Sequence, residues 1–445
     1  EWGLIMRFLR TMRFPMNMTL AATNSEELLY RYGQTVARQC RRIGVNMNFS
    51  PVMDVNSNPL NPVISMRSYG EFKDRVSRLG IAFARGQESL GVLSSAKHFP
   101  GHGDTSDDSH KMLPTVDKPR AEIMELELFP FKRYIDAGLN GVMTAHLNMP
   151  ALDSVSGLCS SLSYKIVTEL LREQLGFKGL IITDALEMGG AMKYEKNALK
   201  ALIAGNDILL MPSDLEGAIN DISEAIECGE LSETVVDEHC QRVLEYKYRL
   251  GLDRVEVLST ENLVEDLNSA EDVALCRELY RRSITLVADN RGILPFNSED
   301  VTLLSLGTDE NLTHTSLGQT KADKRIFNKF YHPKLVNRVV IDSTTKAIDW
   351  STVAASKLVV EVFSDKDKYK DIIKQITDCD CKSGIVYIFY ISPYKLDAFK
   401  GLIDIDSDAV VLAYEDSEYA QEFAQCAAIG EINMVGSLPI SLGWK

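Results

Sequence analysis

No apolar run in the 445-residue sequence is long enough to cross a bilayer as a helix. Basic charge is also short: 63 acidic against 48 basic side chains leave a net charge of −15. That balance excludes the basic face nucleic acid requires and argues against docking on anionic lipid. A soluble globular chain is its simplest reading. Cysteine pairs with zinc spacing are missing. The eight cysteines are scattered, and Cys379-Asp380-Cys381 is too tight for a knuckle and has no second pair. We read most of them as small buried hydrophobes, and they do not fix a compartment. There is no Gly-x-Gly-x-x-Gly turn for a dinucleotide, no solenoid repeat and no low-complexity tract. No cofactor or metal is called for. The chain opens Glu1-Trp2-Gly3-Leu4, with neither an initiator Met nor a signal-peptide pattern, and we expect this to be the middle of a fold.

What is present is an alternation of short apolar runs and helical patterns. The runs at 45–55, 92–98, 141–146, 179–184 and 207–211 each end in polar residues and predict buried parallel strands. Helical patterns at 26–44, 74–91, 120–138 and 163–176 each stop at a glycine before the next run. This predicts an α/β fold with a parallel sheet. As a (β/α)8 barrel it shows only five strands, so about three βα units, roughly 60–90 residues, are expected before Glu1. Residues are also expected to be missing between Asp184 and Asp207. Helices at 214–229 and 232–250 close this region at 252, and a polar linker covers 253–270. A second α/β pattern fills 271–445, with a helix at 271–284, strands at 285–287, 301–306, 357–363, 384–391 and 409–413, a helix at 418–429 and a strand-like end at 436–442. It predicts a doubly wound sandwich.

Polar residues cluster at the strand ends: Asp54, Lys97-His98, His146 and Asp184. Parallel strands open their carboxyl ends on one face, so these side chains should converge. Asp184 follows the apolar Leu180-Ile181-Ile182-Thr183. It is either a cap for the next turn or a carboxylate nucleophile for an anomeric carbon. Residues 97–110, KHFPGHGDTSDDSH, place three histidines and three aspartates in fourteen positions. Pro100, Gly101 and Gly103 forbid the helix that would align His98 and His102 on zinc. Asp108 lies two residues before His110, and a carboxylate beside an imidazole orients and charges it for acid–base work. The same pair could equally be a loop-stabilising hydrogen bond. His146 is either a pocket residue or a core histidine. His102 is read as a loop support, and His239, His314 and His332 as surface residues.

KHFPGHGDTSDDSH resembles the signature of the NagZ-like β-N-acetylglucosaminidases of glycoside hydrolase family 3. FSPVMDV, ISMRSYGE, VMTAHLNMPALD, LGFKGLIITDALEM and AGNDILLMP are similar to the same family, in the same order. RRSITLVADNRGILPF and VGSLPISLG resemble its C-terminal domain. The resemblance implies a retaining exo-β-N-acetylglucosaminidase, with peptidoglycan fragments among its substrates. Asp184 would be the nucleophile, His110 the acid/base and Asp108 its partner. Lys97, His98, Arg67, Arg7 and His146 would bind the sugar. A further aspartate ligand is expected just before Glu1, and Trp2 stands where the family usually has glycine. Gly101 and Gly103 would act as hinges for the loop. The implied partner is a carbohydrate, with no nucleic acid and no membrane span. A β-glucosidase-like or phosphorolytic enzyme on the same scaffold is the alternative, and a non-catalytic sugar-binding protein a third reading.

Overall fold

The computed structural model describes residues 1–106, 113–254, 257–296, 301–308, 330, 332–335, 337–345, 357–377 and 384–444. They fall into two units, Glu1–Arg13 with Ser25–Ser269 and Phe14–Asn24 with Ala270–Lys445.

In the first unit the branched apolar runs lie side by side. Strands β1 (Ala96–Phe99), β2 (Gly141–Thr144) and β3 (Leu180–Thr183) form a parallel sheet in that order. The two outer runs flank it without becoming regular strands. On one side the Leu93 N–H bonds to the Asn46 carbonyl and Met53 N–H to Lys97 O, with isolated parallel bridges Met47–Leu93 and Val52–Lys97. Pro51 lacks a donor, which interrupts the ladder expected over 45–55. On the other side Thr183 N–H bonds to Ile208 O, a single bridge where a strand was expected at 207–211.

Helices cover this sheet. Ser25 caps α2 (Glu26–Arg42), its hydroxyl accepting from the Leu28 N–H. Glu26 and Glu27 at the start and Arg41 and Arg42 at the end suit the helix dipole. Against it packs α3 (Lys73–Glu88), and glycines set the approach: a Cβ on Gly33 would lie 2.1 Å from Phe83 O, and one on Gly86 2.1 Å from Tyr30 O. The single helix expected over 120–138 is two, Arg120–Glu125 and Phe129–Asp136. Pro130 is the reason, since it can open a helix but not continue one. Further helices are Lys165–Gln174, Asn197–Ala204, Leu215–Glu227 and Glu233–Arg249. A core of Met53, Phe99, Phe131, Val142, Ile166, Leu171 and Ile181 is buried between sheet and helices. Each such side chain contributes about 1.5–3 kcal/mol.

The second unit is a six-stranded sheet. Its strands are β4 (Thr285–Asp289), β5 (Val301–Leu306), β6 (Asn337–Ile341), β7 (Lys357–Val362), β8 (Val386–Phe389) and β9 (Ala409–Leu412), ordered β4-β9-β8-β7-β5-β6. All neighbours run parallel except β4, which is antiparallel to β9. The edge strand β6 escaped sequence analysis because Asn337-Arg338 opens it on the exposed side. The strand-like end at 436–442 is irregular; Pro439 takes a donor out of it.

Phe14–Asn24 belongs to this second unit although it lies inside the 1–252 stretch assigned to the first domain. Its short helix α1 (Asn17–Ala22) is wholly buried. Glu415 accepts from the Met16 N–H (2.9 Å) and the Thr19 hydroxyl (2.7 Å), and the Ser437 N–H bonds to Ala22 O. Among the described residues no helix is long and apolar enough to cross a membrane.

Candidate active site

The carboxyl ends of the first unit's strands carry the polar residues expected there. Asp54 is fully buried and organises one side. Its Oδ2 accepts from His98 Nδ1 at 2.7 Å, and its Oδ1 from the His102 N–H at 2.7 Å and the His98 N–H at 3.1 Å. Burial pushes the Asp54 carboxyl up, but His98 and His102 outweigh it and hold it below the ordinary range. A guanidinium can only donate, so His98 Nε2, 3.4 Å from Arg67 Nη2, is the accepting nitrogen. His98 Nδ1 therefore carries the proton that Asp54 accepts.

Arg67 and Lys97 meet on one buried carboxylate. Glu1 takes a bidentate pair from Arg67 (Nε 2.9 Å, Nη2 2.8 Å) and a third contact from Lys97 Nζ at 2.7 Å. Burial raises the Glu1 carboxyl, and Arg67 and Lys97 together bring it well below the usual value. Sequence analysis missed Glu1, because the only signal was a carboxylate two residues before a glycine.

Asp184 follows β3. Its N–H bonds to Thr144 O, and its Oδ1 accepts from the Ala185 N–H at 2.9 Å. Among the described residues Oδ2 carries no hydrogen bond, and the residue is only partly buried. Burial pushes its carboxyl up, while His98, His146, the Ala185 N–H and Lys97 together hold it below the ordinary range. Asp184 is thus an ionised carboxylate with one oxygen fixed and one open. It also acts on Arg67, whose pKa it helps to raise.

His146 is buried, with both ring nitrogens engaged: Nδ1 lies 2.8 Å from Ser161 Oγ, and Nε2 2.9 Å from Ala185 O. Arg7 is not brought into the cluster. It is exposed, and its Nη1 donates to the Met6 carbonyl. Asp108 and His110 lie outside the described residues. Just before them, Asn58 Nδ2 donates to Asp104 O (3.3 Å) and Ser106 Oγ (3.0 Å), and Asn61 Nδ2 to His102 O (2.8 Å). His102 Nδ1 meets Thr105 Oγ1 at 2.9 Å, while Nε2 is buried and has no partner among the described residues, and burial lowers its pKa to about 4.

Close packing requires glycine at 101 and 103. A Cβ on Gly101 would lie 2.7 Å from Glu127 Cβ, and one on Gly103 1.7 Å from Val55 O. Among the described residues the one cluster of metal-ligating side chains, His332, Cys426 and Glu431, is in the second unit. It is an ionic network: His332 Nδ1 accepts from the Lys334 N–H, Nε2 donates to Glu431 at 3.0 Å, and Lys334 Nζ pairs with Glu431 at 2.9 Å.

Fold and site together define an α/β protein that gathers carboxylates, imidazoles and cations at the carboxyl ends of parallel strands, where such folds place their chemistry. Residues 1–246 match the glycosyl hydrolase family 3 N-terminal domain, and the chain belongs to that family. It is 36% identical over 308 residues to beta-hexosaminidase A of Pseudoalteromonas piscicida, covering 63% of this chain and 51% of that protein. It is 30% identical over 298 residues to a beta-N-acetylglucosaminidase/beta-glucosidase of Cellulomonas fimi, covering 64% of this chain and 52% of that one. The chain thus spans about half the length of these curated relatives. A glycoside hydrolase family 3 beta-N-acetylglucosaminidase from Paenibacillus sp. str. FPU-7 superposes with a TM-score of 0.80 at 29% identity, covering 97% of this chain and 83% of that one.

Proposed function

We propose that the chain carries the catalytic site of a retaining exo-β-N-acetylglucosaminidase that releases terminal β-linked N-acetylglucosamine, with peptidoglycan fragments among its substrates. The observation that carries this reading is Asp184: an ionised carboxylate at a strand end, one oxygen tethered and one open, beside Lys97, His98 and Arg67. Its open oxygen attacks the anomeric carbon as the bond to the leaving oxygen breaks, and His110, with Asp108 as its partner in this reading, gives that oxygen its proton. Water then gives a proton to neutral His110 and attacks the glycosyl-enzyme, restoring Asp184 with net retention. Arg67, Lys97 and His98 bind sugar hydroxyls; Arg7 is a further candidate ligand from the loop that begins the chain.

The test is hydrolysis of p-nitrophenyl β-N-acetylglucosaminide by the wild type, Asp184→Ala and His110→Ala. Loss of activity in both variants supports the roles. Full activity in Asp184→Ala overturns the nucleophile, and survival in His110→Ala sends the search for the acid to the second unit. A β-glucosidase-like specificity is the second reading, motivated by the double name of the Cellulomonas fimi relative. Preference for the matching glucoside would favour it.

For the fold we propose that 1–252 forms five strands of a (β/α)8 barrel, with a linker over 253–270 and a doubly wound sandwich over 271–445. Supporting the barrel, five parallel segments lie in sequence order, and among the described residues the outer two pair on one side only.

A further inference from the structure

We propose that His146 is a positioning residue for Asp184, acting through the Ala185 carbonyl, and not a ligand of the sugar. The proposal rests on the nucleophile reading of Asp184.

The backbone after β3 is pinned at three successive residues. The Asp184 N–H bonds to Thr144 O, the Ala185 carbonyl faces His146 Nε2 at 2.9 Å, and the Leu186 N–H bonds to Leu210 O. Two pins are backbone pairs; the middle one depends on a side chain. A carbonyl can only accept, so His146 Nε2 carries the proton and donates it. Ala185 in turn supplies the N–H that holds Asp184 Oδ1 at 2.9 Å. Fixing its carbonyl therefore fixes the residue that decides which carboxylate oxygen is tied and which is free. Thr144 and His146, two residues apart at the end of β2, grip Asp184 and Ala185 together.

The ring itself is held from behind. Nδ1 lies 2.8 Å from Ser161 Oγ and 3.4 Å from Cys159 Sγ, and those two atoms are 3.0 Å apart. The hydroxyl and the thiol can each donate to Nδ1, which leaves the proton on Nε2. Their loop is laced to the end of β2: Ser160 N–H bonds to Leu147 O, Ser160 Oγ to Ala145 O and Ser161 N–H to Ala145 O. With both nitrogens occupied and the side chain buried, the ring has no free valence to offer a sugar. A histidine that merely filled the core would not need its donor spent on the residue after the nucleophile.

The experiment compares His146→Leu, His146→Asn and His146→Gln with wild type. Steady-state kinetics are combined with labelling by a 5-fluoro N-acetylglucosaminyl fluoride, the modified residue being located by mass spectrometry. Leu removes the donor, Asn is too short to reach Ala185, and Gln keeps an N–H near the Nε2 position. A misplacement of about 1 Å costs on the order of 100-fold. We therefore expect kcat and the labelling rate to fall about 100-fold in the Leu and Asn variants, with KM within about threefold, and Gln to recover to within about tenfold of wild type. If Leu does not fold, Asn carries the same expectation. Labelling at the wild-type rate in Asn, or a raised KM with kcat unchanged, overturns the proposal. Wild-type label on a residue other than Asp184 overturns the nucleophile reading first and this proposal with it, and the wild-type sample alone reveals that outcome.

Discussion

The two ends of the first unit's parallel strands use the same residue types in opposite ways. At the amino ends, carboxylates are saturated. Glu88 accepts from the Ser94 N–H and hydroxyl and from the backbone and side-chain amides of Asn140, the residues just before β1 and β2. Asp207, its side chain fully buried, takes Arg172 Nη2 and the Ile181 N–H at 2.8 Å, His239 Nδ1 at 2.7 Å, and Arg242. At the carboxyl ends satisfaction is incomplete: among the described residues Asp184 Oδ2 has no hydrogen bond, and His102 Nε2 is buried without a partner. A saturated carboxylate holds a scaffold together, while one with a free oxygen can react. Neither charge nor bonding alone separates the ends, since Asp54 at the carboxyl ends is bonded as fully as Glu88; what distinguishes that end is Asp184, with one oxygen left open among the described residues.

The contrast can be broken by mutation. The largest effect is expected at Asp184: Asp184→Ala should lower kcat on an aryl N-acetylglucosaminide by on the order of 1,000-fold or more, with little change in melting temperature. At the opposite end Asp207→Ala should do the reverse. It leaves Arg172 and Arg242 facing each other without their carboxylate, at a cost of about 3 kcal/mol in denaturant unfolding, with kcat/KM within about threefold. A large loss of kcat there would erase the distinction between the ends.

Asp54→Asn is intermediate, since it weakens hydrogen bonds to a buried carboxylate that also orients His98. We expect about 1–3 kcal/mol of lost stability together with a raised KM. The pH dependence sharpens this. The Asp54 carboxyl is depressed in the fold, so its contribution is present above the unfolded value of about 4 and is lost as pH falls through the folded one. The stability gap between wild type and Asp54→Asn should therefore be widest near neutrality and shrink below about pH 4. Ser25→Ala, which removes the cap of α2 and no residue of the cluster, should cost about 1 kcal/mol and leave kinetics unchanged.

Much of this was legible in the sequence, for specific reasons. Short apolar runs closing in Asp54, Lys97-His98, His146 and Asp184 pointed to strand ends, because each is too short for a helix and alternates with a helical pattern that stops at a glycine. Helix starts such as Ser25-Glu26-Glu27 carried their caps openly. What stayed hidden was tertiary. The ion pairs of Glu1 with Arg67 and Lys97 join residues 66 and more apart. The engagement of both His146 nitrogens depends on Ser161 and Ala185, which no local pattern links to it. The clearance that Gly101 gives Glu127 and Gly103 gives Val55 was hidden too, since a glycine's neighbours in space are not written beside it.

The membership of Phe14–Asn24 in the second unit sets a clock on synthesis. Met16 and Glu415, which pair in the finished protein, are 399 positions apart. At about 5–20 residues per second a ribosome needs roughly 20–80 s to join them. Through that interval α1, whose Met18 and Leu20 are fully buried at the end, can meet the helix Ala270–Ser283 on which it packs but not yet Glu415. Folding of this chain is therefore tied to whatever shields that short apolar stretch while the last third is still being made.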